Sequence, residues 1–275
     1  MSRLRLVPVA VLALIAPLLG LVASSPATAI VGGGSVAEGE LPFMASLQSK
    51  DSTGSDGHFC GGSVVAKRWI LTAAHCSTDT DPATVQVVVG KTDLTSDGGQ
   101  TLAVDKIVIF GSYADTGTGD IALWHVTESI EVPAIKLVAK GDESYEAAGA
   151  PLTVAGWGTE FFLSPTAPDV MKKVDVDAVA DDACYGNSLV MGFQPDTEIC
   201  AQTLLGDSCQ GDSGGPLFGV DAAGKPVQVG VVSYGLGCAI PGFAGVYGEV
   251  NNPAMRDFIS ATIGSAKTKG KPRRH

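Results

Sequence analysis

The sequence predicts an all-β fold built from antiparallel strands, with one helix at the C-terminus. The chain has 275 residues, of which 45% are hydrophobic and 35 are glycine. Many short apolar or alternating runs are separated by Gly, Pro, Asn and Asp, which is the pattern of strands joined by tight turns. Only one segment, near the C-terminus, has a helical pattern. The length and apolar content suit one globular unit with its own core.

Eight segments are predicted as strands because β-branched and other apolar residues dominate them and turn residues bound them. In chain order they are Ser63–Val65, Trp69–Thr72, Thr84–Val89, Leu102–Ile109, Ile121–His125, Leu152–Ala155, Val227–Tyr234 and Gly245–Val250. The helix is predicted for Pro253–Ile263, because Asn252 is a suitable N-cap and proline is favoured at the first helical position.

The first 29 residues have the pattern of a secretory signal. Arg3 and Arg5 precede an apolar run over residues 7–22, and Ala27-Thr28-Ala29 is a small-x-small cleavage site. The alternative is a membrane anchor, but the run is slightly short for a bilayer span and no second apolar segment of that length follows. The leader therefore predicts a secreted, extracellular protein without a stable membrane anchor.

The C-terminal tail is basic, whereas the rest of the chain is acidic. Residues 265–275 contain five Lys or Arg residues and are predicted to be disordered and solvated. Two of the 18 basic residues lie in the leader and five in the tail, so the body has 11 basic against 29 acidic residues, a net charge of −18. An acidic body argues against nucleic acid as a partner and favours attraction to cationic substrates.

The chain contains six cysteines, and an even number in an exported protein predicts disulfides rather than free thiols. Six cysteines allow about fifteen pairings, and the spacing does not choose among them. The tight C-x-x-C spacing of zinc ribbons is absent from the sequence. We therefore expect three disulfides and no structural metal.

One serine lies in a glycine-rich segment that suits a nucleophile. Ser213 follows Gly211-Asp212 and precedes Gly214-Gly215, and glycines permit a tight turn and a close approach of the backbone to a ligand. The alternative is an ordinary surface turn, since Gly, Asp and Ser are common turn residues. A serine nucleophile also needs a base and a group that orients the base.

His75 is the candidate base and Asp120 the candidate orienting acid. His75 follows an apolar strand and precedes Cys76, which can pin it, and Asp120 opens an apolar strand at Ile121. The carboxylate can then accept the Nδ1 proton of the imidazole from the barrel edge. Each residue alone has a structural alternative, as a pinned histidine or a turn aspartate. Together, in the order His, Asp, Ser, they predict a catalytic triad.

With these segments, the chain resembles the trypsin family of serine proteases, of secreted microbial type. The resemblance runs from Ile30 to Ile263. Besides the three catalytic segments it includes Ile30-Val31-Gly32-Gly33 at the family's mature N-terminus, Cys60-Gly61-Gly62-Ser63, Gly156-Trp157-Gly158, Ser233-Tyr234-Gly235 and Gly245-Val246-Tyr247. It implies two packed six-stranded antiparallel barrels with the site in the cleft between them.

The resemblance also implies a role for each catalytic residue. Ser213 is the attacking hydroxyl, His75 the general base and then acid, and Asp120 the residue that fixes the imidazole tautomer. The backbone N–H groups of Gly211 and Ser213 form the oxyanion hole. His75 and Asp120 are expected from the first barrel and Ser213 from the second.

Further roles concern activation and substrate binding. The resemblance implies that Asp212 pairs with the free α-amino group of Ile30 and that this buried ion pair shapes the oxyanion loop. It implies that Ser233 hydrogen-bonds Asp120 from behind. The segment Ser233-Tyr234-Gly235 is expected to offer an extended edge to the substrate backbone.

The resemblance places Asp207 at the floor of the primary specificity pocket, where a carboxylate selects arginine or lysine. Ser208 beside it can help to solvate the substrate cation, and Gly235 and Gly245 leave room for a long side chain. Ala244 departs from the family, because many relatives carry proline there. The alternative for Asp207 is a solvated loop acid.

The resemblance selects one disulfide pairing out of those that the sequence allows. It implies that one bridge lies beside the catalytic histidine and that another joins the nucleophile loop to the opposite pocket wall. The implied pairs are Cys60 with Cys76, Cys184 with Cys200, and Cys209 with Cys238.

The expected domain order is a signal over residues 1–29, a protease domain over 30–264 and a tail over 265–275. Within the protease domain, the first barrel spans about 30–140, the second about 141–252 and the helix about 253–263. Signal cleavage after Ala29 would by itself expose Ile30, so we expect no conventional zymogen. The alternative cut, after Ser24, would leave the propeptide Ser25-Pro26-Ala27-Thr28-Ala29.

The sequence thus predicts a secreted serine endopeptidase that cleaves after Arg or Lys through an acyl-enzyme on Ser213. The expected partners are protein or peptide substrates and protein inhibitors, and the expected state is a monomer without a cofactor. Two alternatives stay open: a catalytically weak binding module of the same fold, and a protease with chymotrypsin-like preference. The complete triad disfavours the first and Asp207 the second.

The other histidines, His58, His125 and His275, are expected at the surface rather than as ligands. The loop over residues 91–99, with Asp93 and Asp97, has no carboxylate pattern strong enough to predict calcium.

Overall fold

Two closed barrels of antiparallel strands make up most of the fold in the computed structural model. The structure describes residues 30–111, 113–184, 192–204 and 206–268. The predicted leader and the C-terminal residues 269–275, which include His275, lie outside the described residues.

The described residues form fourteen strands, three short helical segments and one longer C-terminal helix. The strands are β1 (Gly34–Ser35), β2 (Met44–Ser49), β3 (His58–Ala66), β4 (Trp69–Thr72), β5 (Val85–Val89), β6 (Gln100–Ile109), β7 (Ala122–Val126), β8 (Lys136–Leu137), β9 (Pro151–Gly156), β10 (Lys172–Val179), β11 (Glu198–Gln202), β12 (Pro216–Val220), β13 (Pro226–Tyr234) and β14 (Gly245–Glu249). The helical segments are the 3-10 turns Gly54–Asp56 and Pro82–Thr84 and the helices Tyr113–Thr116 and Pro253–Thr268.

The first barrel closes in the order β2-β3-β4-β7-β6-β5, and β5 pairs back to β2. The second barrel contains β9-β10-β11-β14-β13-β12, and the pairings of β9 with both β10 and β12 close it. Of the two remaining short strands, β1 pairs with β10 and β8 lies parallel to β13. The predicted architecture of two six-stranded barrels with a C-terminal helix is confirmed.

All eight predicted strands are present, and their ends lie within two residues of the predicted ones except that β3 begins at His58, five residues before the predicted Ser63. The predictions missed four longer strands, β2, β10, β11 and β12. Strand β10 carries a clear signal, because Val174, Val176 and Ala178 are buried while Asp175 and Asp177 between them are exposed. This alternation is typical of a strand with one face on the core, whereas β2 and β12 are buried over nearly their whole length.

The C-terminal helix begins as predicted and continues to Thr268. The side chain of Asn252 accepts hydrogen bonds from the N–H groups of Ala254 (2.9 Å) and Met255 (3.1 Å), which confirms it as the N-cap. The ring of Phe258 packs against Phe110, with 5.4 Å between ring centroids. Among the described residues, we find no helix with the length and apolar character needed to cross a membrane.

Contacts between the two barrels fix the cleft. The N–H of Gly61 in β3 donates to the carbonyl of Ser213 (2.7 Å), and the buried hydroxyl of Ser63 donates to the side chain of Gln228 in β13 (2.6 Å). A Cβ atom at Gly61 would lie 3.0 Å from the Cα of Gly215. Glycine at position 61 therefore allows the first barrel to approach the Ser213 loop closely.

Candidate active site

Ser213 lies in a tight loop between the two barrels. Gly211 and Gly214 on either side have φ values of +98° and +81°, a backbone region that residues other than glycine rarely adopt. A Cβ atom at Gly214 would lie 2.2 Å from the hydroxyl oxygen of Thr72 and 3.1 Å from the backbone nitrogen of Ala73. The glycines therefore bring Ser213 against the end of β4, where Thr72 lies three residues before His75.

His75 and Asp120 make two hydrogen bonds to each other. The backbone N–H of His75 donates to Oδ1 of Asp120 (2.8 Å), and the ring Nδ1 lies 2.7 Å from Oδ2. An ionised carboxylate can only accept, so Nδ1 carries the proton and Nε2 is left free to accept one. This is the tautomer that a general base needs.

The surroundings of Asp120 keep its carboxylate ionised. Burial alone would raise the pKa of Asp120, but the hydrogen bond and charge of His75 and the hydroxyl of Ser233 outweigh burial and hold the pKa below its ordinary value. Only 7% of the Asp120 side chain is exposed, against 32% of the His75 side chain. The acid is therefore enclosed, while the imidazole stays accessible to a substrate.

Ser233 reaches Asp120 because of a β-bulge. The register between β13 and β14 shifts between Val232 and Tyr234, so Ser233 is the extra residue. A bulge re-aims the side chain of the inserted residue. The Ser233 hydroxyl donates to Oδ2 of Asp120 (2.5 Å) from the second barrel.

His75 and Ser213 lie on either side of the contact between the two barrels. Among the described residues, their side chains make no hydrogen bond to each other. Nε2 of His75 instead lies 3.5 Å from the Sγ of Cys76. Catalytic hydrogen bonds are often long or misaligned in unliganded enzymes and tighten in the substrate complex.

Asp212 is fully buried beside the nucleophile loop. Its carboxylate accepts hydrogen bonds from the N–H groups of Gly158 and Cys209, both at 2.8 Å. A Cβ atom at Gly156 or Gly158 would lie within 2.4 Å of this carboxylate, so the Gly-Trp-Gly motif makes space for it. Burial raises the pKa of Asp212 to about 7, although the two backbone hydrogen bonds act to lower it.

Ile30 lies near this region and is also fully buried. Its neighbour Val31 forms an isolated antiparallel bridge with Asp207, and the N–H of Asp207 donates to the carbonyl of Val31 (3.2 Å). The segment that begins with Ile30 is thus anchored to the loop leading to Asp212. The predicted ion pair between Ile30 and Asp212 requires a free amino group and stays a prediction.

His58, which was expected at the surface, is only partly exposed. Its Nε2 donates to the carbonyl of Gly211 (2.9 Å), and its Nδ1 lies 2.8 Å from the hydroxyl of Ser46. Burial lowers the pKa of His58 to about 4, so the ring is neutral at pH 7. His58 therefore fixes the carbonyl of the residue that precedes Asp212.

No local pattern in the sequence distinguishes His58 from a surface histidine, because its partner Gly211 lies far along the chain. His125 is also only partly exposed. Its ring packs edge-to-face against Trp69, with 4.8 Å between ring centroids, and its Nδ1 lies 2.5 Å from Oδ1 of Asp105.

A cavity of about 190 Å³ connects Asp207 to Ser213. Its lining includes every residue predicted for substrate binding, namely Asp207, Ser208, Ser233, Tyr234, Gly235 and Gly245. Two larger clefts of about 510 Å³ each lie nearby, and the lining of neither includes Ser213. The smaller cavity is therefore the candidate specificity pocket.

Asp207 is buried, with 6% of its surface exposed. Its carboxylate accepts a hydrogen bond from the N–H of Ala239 (2.9 Å), and the Ser208 hydroxyl lies 3.5 Å away. Burial raises the pKa of Asp207 to about 6. A Cβ atom at Gly245 would lie 2.8 Å from this carboxylate, so glycine at position 245 keeps the carboxylate accessible.

The three disulfides are those implied by the resemblance: Cys60–Cys76, Cys184–Cys200 and Cys209–Cys238. Cys60, His75 and Cys76 lie close enough together to suggest a metal site. The first bridge, however, uses the thiolates that a metal would need. This Cys60–Cys76 bridge ties Cys76, the residue next to His75, to β3.

Comparison with known proteins agrees with this geometry. The sequence model of a family described as Trypsin matches residues 30–259. A trypsin-like protease of Streptomyces glaucescens is 38% identical over 238 residues, which cover 84% of this chain and 82% of that protein. Trypsin-1 of Astacus astacus is 38% identical over 237 residues (81% and 95%), and a trypsin of Sarcophaga bullata is 35% identical over 228 residues (80% and 84%).

Proposed function

Because this chain belongs to the trypsin family of serine proteases, we propose that it is a secreted endopeptidase that hydrolyses peptide bonds after arginine or lysine. The observation that carries the proposal is the Asp207 carboxylate, buried in the cavity that also reaches Ser213. Within residues 30–268, as far as they are described, no basic side chain forms an ion pair with Asp207. A substrate arginine or lysine supplies the missing cation.

In the proposed mechanism, the Ser213 hydroxyl adds to the carbonyl carbon of the scissile bond while Nε2 of His75 takes its proton. The N–H groups of Gly211 and Ser213 stabilise the oxyanion that forms. His75 then passes the proton to the leaving amine, and the acyl group stays on Ser213 as an ester. Water, deprotonated by the same imidazole, hydrolyses the ester and restores the hydroxyl.

Two contacts support this assignment of roles. The 2.7 Å bond between Nδ1 of His75 and Oδ2 of Asp120 keeps the proton on Nδ1 and stabilises the imidazolium that forms during attack. The hydrogen bond from His58 to the Gly211 carbonyl restrains the loop whose N–H groups face the oxyanion.

Selectivity follows from the cost of leaving Asp207 unpaired. A neutral substrate side chain in the pocket displaces water from this carboxylate but brings no cation to pair with it. The loss of hydration without an ion pair costs on the order of 2–5 kcal/mol. The acidic body, with 11 basic against 29 acidic residues outside leader and tail, also attracts cationic substrates.

We propose that cleavage after Ala29 activates the enzyme. The new amino group of Ile30 would then pair with Asp212, whose carboxylate is buried without a cation in the described residues. Signal cleavage at this bond would make a separate zymogen stage unnecessary, and the enzyme would become active only after export. Recovery of an inactive secreted protein beginning at Ser25 would contradict this proposal.

The substrate is expected to bind along Ser233-Tyr234-Gly235, where the bulge frees the backbone next to the cavity. We propose that the protease domain spans residues 30–264 and acts as a monomer on protein or peptide substrates. Protein inhibitors that present arginine or lysine to the same pocket are further expected partners.

The test is kcat/KM of purified protein beginning at Ile30, measured on a peptide amide series that differs only at the residue before the cut. That residue is Arg, Lys, Phe, Leu or Ala, and the Ser213→Ala variant is the control. We expect Arg and Lys to be preferred by orders of magnitude and the activity to be lost in the variant. Preference for Phe would indicate a chymotrypsin-like pocket, and no cleavage at all would favour a binding module.

A further inference from the structure

Tyr234, at the end of β13, is hydrogen-bonded to a buried acid of another strand. Its hydroxyl donates to Oε2 of Glu198 at 2.8 Å. Glu198 begins β11 and pairs with Gly248 of β14, whereas Tyr234 pairs with Val246 of β14. Strand β14 lies between β11 and β13, so the tyrosine side chain reaches across it to the acid.

Glu198 is itself held firmly. Only 6% of its surface is exposed, and the same Oε2 atom accepts a second hydrogen bond, from the backbone N–H of Gln194 (2.7 Å). An oxygen fixed by a backbone N–H and its own strand offers a rigid acceptor. The position of the tyrosine hydroxyl is therefore set by the second barrel and by the loop that contains Gln194.

The other end of Tyr234 faces the proposed substrate path. Tyr234 lines the cavity between Asp207 and Ser213, together with its neighbours Ser233 and Gly235. Its ring also packs against a buried apolar cluster that includes Val246 and Ala244. The side chain is thus fixed at the hydroxyl and along one side, while part of it faces the cleft.

We infer that Glu198 is a positioning residue: by holding the Tyr234 hydroxyl, it sets the surface on which substrate residues N-terminal to the cleaved bond bind. This inference rests on the proposed function and deepens it. A substrate chain paired with residues 233–235 passes the tyrosine side chain. Without the acceptor the tyrosine ring is held only along the side that packs against the apolar cluster, and ordering it more tightly when substrate binds reduces affinity.

The inference distinguishes long substrates from short ones. An amide of single N-acetylarginine meets only the part of residues 233–235 that lines the specificity pocket, whereas a tetrapeptide amide ending in arginine extends along this segment beyond the pocket. Loss of the Tyr234–Glu198 bond should therefore lower the ratio of kcat/KM for the tetrapeptide to kcat/KM for acetylarginine. A hydrogen bond to a charged group accounts for a change of about tenfold, expressed mainly in KM.

The experiment compares Tyr234→Phe, Glu198→Ala and the double variant on both substrates. We expect each single variant to lower the ratio about tenfold, and the double variant to be no worse than Glu198→Ala, because both changes remove one bond. Glu198→Gln should restore most of the ratio, since its amide oxygen accepts the same two hydrogen bonds. Tyr145→Phe, which removes a hydroxyl that donates to Val220 away from the cleft, is the matched control.

Equal losses on both substrates, or independent losses that add in the double variant, would overturn the inference while the proposed function stands. Tyr234→Phe removes a single oxygen atom, so it provides the answer even where Glu198→Ala does not fold. A wild-type protein that cleaves neither substrate would overturn the proposed function and this inference with it.

Discussion

The hydroxyl of Ser233 and Oδ2 of Asp120 lie 2.5 Å apart across the boundary between the two barrels. Asp120 precedes β7 of the first barrel, and Ser233 is the inserted residue of a bulge in β13 of the second. The acid that orients His75 is therefore fixed by both barrels. The geometry of the proposed triad depends on how the barrels dock as well as on each barrel alone.

We predict that Ser233→Ala lowers kcat/KM about tenfold without unfolding the protein, because it removes one hydrogen bond to a buried carboxylate. The serine hydroxyl lowers the pKa of Asp120. Its loss should raise that pKa and move the acid limb of the pH–rate profile to higher pH. The measurement is kcat/KM against pH. Ser96→Ala, which removes a hydroxyl that bonds within its own loop, is the control, and an unchanged profile in Ser233→Ala would contradict the prediction.

The second prediction concerns the pH dependence of cation binding to the pocket. Burial raises the pKa of Asp207 to about 6, and only its ionised form attracts a cation. The dissociation constant of a small aryl amidine should be constant above about pH 7 and should rise about tenfold for each pH unit well below 6. Calorimetry on Ser213→Ala measures binding without turnover.

Asp207→Ser in the same background is the comparison for this experiment. It should bind the amidine weakly and without the transition near pH 6. An equally strong pH dependence in this variant would show that another group is responsible.

The third prediction concerns the N-terminus. Burial raises the pKa of Asp212 to about 7 from its ordinary 3.8 when Ile30 carries residues before it. In the folded protein Asp212 then keeps a proton that the unfolded chain releases above pH 3.8. The contribution of Asp212 to stability is therefore full below pH 3.8 and is lost as the pH rises toward 7. A free Ile30 ammonium would hold Asp212 ionised and remove this loss.

We therefore expect Ser213→Ala protein beginning at Ile30 to melt several degrees above the same variant beginning at Ser25 at pH 8, and the gap to narrow at pH 4. Thermal unfolding of the two forms at both pH values measures the difference. The Asp212→Asn substitution should remove most of the difference in melting temperature between the two forms at pH 8. Equal melting temperatures at pH 8 would argue against the ion pair.

The fourth prediction concerns two neighbouring acids, the buried Glu249 at the end of β14 and the partly buried Glu146. Burial, together with the charge of Glu146, raises the pKa of Glu249 to about 8, and burial raises that of Glu146 to about 7. Both raised values mean that stability is full below about pH 4.5 and falls as pH rises through 7 to 8. Two carboxylates are then forced to ionise in a poorly hydrated site.

Glu249→Gln in the Ser213→Ala background should accordingly raise the melting temperature by several degrees at pH 8 and have little effect at pH 4. Each kcal/mol corresponds to about 2–4 °C for a domain of this size. Unfolding is measured in buffer with a chelator, so that no cation compensates the acids. The exposed Glu38→Gln is the control, and a gain of the same size at pH 4 would point to packing instead of charge.

Local patterns predicted much of the fold because strands carry their signal within a few residues. Trp69–Thr72 was predicted with the bounds that the structure has, and Asn252 caps the helix as expected. The strand Met44–Ser49 was missed although Ala45-Ser46-Leu47-Gln48 alternates between apolar and polar residues, and in the structure Ser46 and Gln48 are buried as well.

The sequence by itself determined which chemical groups are present: a His, Asp, Ser order, a carboxylate six residues before the serine, and glycines where backbones must approach. Only the tertiary structure decided which of these groups meet. His58 with Gly211 and Glu198 with Tyr234 are contacts between residues far apart in the chain that the sequence did not indicate, whereas the contact of Ser233 with Asp120 was implied only by the family resemblance. Such pairs form when the barrels close and dock, and burial then sets their pKa values, so no local pattern reveals them.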